Sequence, residues 1–88
     1  VDRMDQSLAD IDTLIREEKR LSAVESCEDA WADGLAAGIE PDIMAEAAIA
    51  TALTELLQSS GESTALSMIE KMRERLLAGE FARDLSFH

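Results

Sequence analysis

A chain of 88 residues fits one domain, and a domain of that size buries only about 60–65% of the surface its unfolded chain exposes, so its core is thin. Nineteen acidic residues against eight basic ones give a net charge of −11, which sets the chain against direct binding to nucleic acid or to anionic lipid surfaces. Aromatic residues make up 3% and tyrosine is absent, so apolar packing falls to Leu, Ile, Met and Ala, and a subunit interface would supply burial that one copy lacks.

The chain begins at Val1 rather than Met, which leads us to expect a trimmed start. Met4, Leu8, Ile11 and Ile15 recur at steps of three and four, the period that places them on one face of a helix. Asp12 with Arg16 and Glu17 with Arg20 stand at spacings that let opposite charges meet on that helix, and the run Arg16 to Arg20 reads as a solvated face.

Val24, Cys27, Trp31 and Leu35 form a second stripe, with Glu25, Asp29 and Asp33 on the other side. At 100° per residue this stripe lies nearly opposite the first if the helix is continuous. Either the chain breaks near Arg20 to Ser22, where Ser22 and Glu25 fit a capping box, or one long helix presents its two halves to different surfaces. No Gly or Pro enforces the break, so a long helix with a projecting first half is the expectation. Gly38 suits the left-handed residue that ends this helix, and Pro41 suits the first turn of the next.

A third helix is expected from about Pro41 to Ser59, apolar around much of its girth through Ile43, Ile49, Leu53, Leu56, Leu57 and several alanines. Ser59, Ser60 and Gly61 then read as a turn, and a fourth helix from about Glu62 to Ala78 carries Ala65, Leu66, Ile69, Met72 and Leu76. Gly79 is the next cap, and the tail holds Phe81, Leu85 and Phe87, which we expect to dock on the domain itself or on a partner. The expected fold is therefore all-α, a three- to four-helix bundle in one domain over residues 1–88. It comprises an amphipathic segment 1–21, a helical core 22–79 and a tail 80–88. Val24, Cys27, Trp31, Leu35, Ile49, Leu53, Leu56, Ile69, Met72 and Leu76 are the expected core. Glu46 and Arg73, near the apolar stripes and similarly far from Ser60, are expected to face each other as a structural ion pair at the bundle end.

The chemistry is sparse. The single cysteine cannot close a disulfide within the chain and suits a reducing, cytoplasmic setting. The only histidine is His88, so neither a cysteine–histidine nucleophile nor a zinc site is expected, and no Glu-x-x-His, phosphate loop or calcium loop occurs. No apolar run reaches the roughly 18 residues of a membrane span. We expect no enzyme, no cofactor and no metal.

An acidic four-helix chain of this size invites comparison with acyl carrier proteins, whose carrier serine lies in Asp-Ser-Leu at a helix start. The corresponding helix here opens with Pro41-Asp42-Ile43, and Asp-Ser-Leu occurs nowhere. The order Trp31, Ala37-Gly38-Ile39, Pro41-Asp42, an alanine-rich helix, Gly61-Glu62 and Gly79-Glu80-Phe81 resembles small uncharacterised bacterial all-helical proteins, over about residues 31–81. The shared positions are caps and packing residues, so the resemblance implies a fold and no activity.

Three functions stay open. The first is an interaction module that forms a homodimer through Met4, Leu8, Ile11 and Ile15, with Phe81, Leu85 and Phe87 as further interface residues. The second is an acidic regulator or inhibitor that binds a basic protein, by nucleic-acid mimicry for example. It would act through the exposed carboxylates of residues 25–46, which lie within a stretch, residues 21–62, of nine acidic side chains and no basic one. The third is a small-molecule site under Trp31 and the alanine-rich helix.

Overall fold

The computed structural model describes residues 2–82, with side chains from Leu8 onward. It is all-α, with two long helices, α1 (Asp2–Ala36) and α2 (Pro41–Leu77). Instead of the expected three- to four-helix bundle, the described residues thus form two helices, the second bent at Gly61. They divide into two units, Val1–Met44 and Ala45–His88.

In the first unit α1 runs unbroken through Arg20 to Ser22. With no Gly or Pro there, nothing stops the backbone ladder, and Ser22 is used as an ordinary helical residue rather than a cap. The helix ends where the sequence places its glycine. Gly38 has φ 88°, its N–H donates to the Leu35 carbonyl at 3.0 Å, and the Ile39 N–H donates to the Gly34 carbonyl at 3.1 Å. Those two bonds satisfy carbonyls that the last turn would leave open, and the left-handed residue between them has no Cβ to clash. Pro41 opens α2, whose first turn is closed by the Met44 N–H on the Glu40 carbonyl at 3.0 Å, and Asp42 sits in that turn where negative charge opposes the helix dipole.

In the second unit the expected three-residue turn shrinks to one residue. Gly61 has φ 88° and ψ 171°, a region essentially reserved for glycine, while helix continues on both sides. A straight helix would hold Ile49 and Met72 about 35 Å apart, yet both line one pocket. The two arms, 45–60 and 62–77, are therefore folded against each other as a hairpin. Ile49 with Met72, Ala52 with Ile69 and Leu53 with Met68 line the pocket in pairs equidistant from the Ser60–Gly61 bond. Continuing that register toward the bend reaches Leu56, half-buried like Leu53 and Met72, and Ala65, which is 7% exposed. Thr13 and Thr54 hydroxyls donate to the carbonyls of Ala9 and Ala50 at 2.9 and 2.8 Å, which ties polar side chains to their own helices.

Candidate association surfaces

Because α1 is one helix, it carries its two apolar stripes on opposite sides. Leu8, Ile11 and Ile15 are 57%, 51% and 45% exposed, and Leu14 and Leu21 are exposed as well. The side chain of Met4 lies outside the described residues, as do Leu85 and Phe87.

The expected core is not a core within one chain. Val24, Cys27, Trp31, Leu35, Ile49, Ile69 and Leu76 are exposed, and Leu53, Leu56 and Met72 are half-buried. Ala65 alone is buried among the described residues. Helical periodicity identifies which face is apolar, but burial requires a second layer over that face. A hairpin of two helices covers each of them on one side only.

The expected ion pair of Glu46 with Arg73 is not among those that the described residues form. Arg73 takes Glu70 instead, Nη1 to Oε1 at 3.5 Å along its own helix, and Glu46 makes no ion pair among the described residues. The register about Gly61 carries position 46 to Arg75, two residues beyond Arg73. Arg75 in turn donates from Nε to Glu80 Oε1 at 2.9 Å and lies over the Phe81 ring, 4.8 Å from its centroid. Asp12 and Arg16 form no ion pair, whereas Glu17 and Arg20 do, Arg20 Nη2 lying 2.6 Å from Glu17 Oε1. The hydrogen bond from Arg20 holds the Glu17 carboxyl below the ordinary glutamate range and raises the Arg20 guanidinium correspondingly.

Between the arms of the second unit lies a pocket of about 420 Å³, walled by Ile49, Ala52, Leu53, Met68, Ile69 and Met72. Its walls are wholly apolar, and Trp31 is not among them. Ala52 and Met68 were not singled out from the sequence as site residues, although a register drawn from Gly61 would have matched them to Ile69 and Leu53. With no polar group converging on it, the pocket has nothing to orient a substrate. Among the described residues no cluster of His, Cys, Asp or Glu is placed to hold a metal ion, and no helix is long and apolar enough to cross a membrane.

No protein-family model, curated protein or solved structure matches the chain.

Proposed function

We propose that the chain is a non-catalytic helical interaction module that forms a homodimer, with the Leu8, Ile11 and Ile15 face of α1 as its contact and the fuller helical bundle completed by a second copy. The observation that carries this reading is the exposure of those three side chains along a continuous helix. Burying a Leu or Ile completely contributes about 1.5–3 kcal/mol. Six half-exposed ones across a pair therefore give on the order of 5–9 kcal/mol, comparable with the roughly 4–15 kcal/mol that association costs. The dimer should accordingly depend on concentration and draw on further contacts. Light scattering across a dilution series tests it. Leu8→Asp with Ile11→Asp should weaken the dimer at least about tenfold, and a chain that stays monomeric at high micromolar concentration would overturn the reading. The exposed thiol of Cys27 fits a reducing compartment such as the cytoplasm.

A second reading has its own observation. All nine carboxylates of residues 21–62 are exposed and none takes part in an ion pair among the described residues. Such a surface suits a basic protein partner. Capture of that kind weakens steeply with salt, whereas contact through leucines changes little.

A further inference from the structure

We propose that the open apolar face of the Ala45–His88 unit is an interface with the same unit of a second copy, the two hairpins closing as a four-helix bundle. In it the acidic arm of each copy stands beside the base-bearing arm of the other. This rests on the reading that the chain self-associates, but it uses a surface other than the α1 stripe.

Three observations select a second copy as the occupant. The register about Gly61 sets a small residue against a large one in two layers, Ala52 with Ile69 and Leu56 with Ala65, on either side of the large pair Leu53 and Met68. A surface that steps between small and large side chains in this way interdigitates with another such surface but leaves a lone hairpin with a gap, the pocket of about 420 Å³. The area also fits. Each arm is about 24 Å long and the pair about 20 Å wide, a face of about 500 Å² in projection and more in accessible surface, near the roughly 800 Å² per partner of a standard interface.

Charge then chooses the arrangement. The arm 45–60 carries Glu46 and Glu55 and no base, whereas the arm 62–77 is balanced, with Lys71, Arg73 and Arg75 against Glu62, Glu70 and Glu74. Setting like arms side by side would face Glu46 and Glu55 with their own copies. Setting unlike arms side by side places those carboxylates against an arm of balanced charge, which removes the like-charge contact. Ile49, Met68 and Ile69 line the pocket and are exposed in one chain, so they are the side chains a partner would cover.

Methionine oxidation tests this on the unaltered protein, because Met68 and Met72 line the pocket whereas Met44 belongs to the other unit and serves as an internal control. Dilute hydrogen peroxide is applied across a dilution series whose dimer fraction is known from light scattering. Met68 and Met72 should oxidise about tenfold more slowly where the dimer dominates than where the monomer does, with Met44 changing little. Oxidation of Met68 at one unchanged rate while scattering reports a dimer would overturn this interface and leave the α1 reading standing. Protection persisting in the monomer would overturn it too, since the chain would then be covering its own pocket. Absence of any dimer would remove both readings together. As a second measurement, Ile69→Glu should raise the dissociation constant at least about tenfold with helix content retained. An unchanged constant would sink the proposal.

Discussion

The Met44 side chain occupies the place that a Cβ on Gly34 would take, its sulfur and terminal methyl lying closer to that point than real Cβ contacts allow. Gly34 is in the last turns of α1, where alanine would be favoured over glycine by about 1 kcal/mol. The close approach of Met44 gives glycine a compensating use. Gly34→Ala should therefore gain little or nothing in the natural chain, and should gain about 1 kcal/mol when Met44 is already alanine. Denaturant unfolding of the four proteins at one fixed concentration measures the coupling. Equal effects in both backgrounds would show that the contact has no energetic weight.

Gly38 and Gly79 end α1 and α2 with the same pair of bonds. The Gly79 N–H donates to the Leu76 carbonyl at 3.1 Å and the Glu80 N–H to the Arg75 carbonyl at 3.1 Å, with φ 81° at Gly79. Open space surrounds both glycines where a Cβ would stand, so any cost of a side chain is conformational and not steric crowding by neighbours. Gly38→Ala should destabilise by about 1–2 kcal/mol and Gly38→Asn by less, because asparagine tolerates the left-handed region. Thermal unfolding followed by circular dichroism ranks the three. An alanine variant as stable as the natural protein would contradict the cap assignment.

These caps were legible in the sequence because they are local: a glycine at positive φ is decided by its own backbone. The continuity of α1 was legible for the same reason, as Arg20 to Ser22 offers no residue that stops a helix. What failed depends on partners distant in sequence. Trp31 and Leu35 have core periodicity, but their burial requires a layer that periodicity does not name. Counting from Ser60 sets Glu46 opposite Arg73, whereas the register about Gly61 sets it opposite Arg75, two residues further on. The pocket is not legible in the sequence because its walls are ordinary apolar residues, and it exists through the register between two arms.

Arg75 ties the end of α2 to the residues after its cap. Its guanidinium donates to Glu80, lies over the Phe81 ring, and is within 3.8 Å of the Met72 sulfur. The ion pair is 39% and 50% exposed, so solvent screening limits it to about 0–1 kcal/mol, and a cation over an exposed ring contributes about 0.5–1 kcal/mol. Arg75→Ala should speed hydrogen exchange at the Gly79 and Glu80 amides several-fold, with amides near Ala65 scarcely affected. Arg75→Lys should fall between, since lysine keeps the charge but lacks the planar fork. Identical exchange at Gly79 and Glu80 in all three proteins would show that the backbone cap holds alone.

Glu17 provides a pH reporter on α1. Its carboxylate accepts from Arg20 Nε at 3.1 and 3.2 Å and from Nη2 at 2.6 Å, and that hydrogen bond, aided by the guanidinium charge, lowers its pKa in the folded chain. A folded pKa below the unfolded one means that the pair's stabilisation is fully present above the ordinary glutamate pKa. It is lost as pH falls through the lower, folded value. Both side chains face solvent, so added salt should shrink the effect. A carbon-detected NMR titration should place the Glu17 midpoint below the ordinary glutamate value, and Arg20→Gln should move it back up. The same midpoint with and without the arginine would show that the pair does not persist in solution.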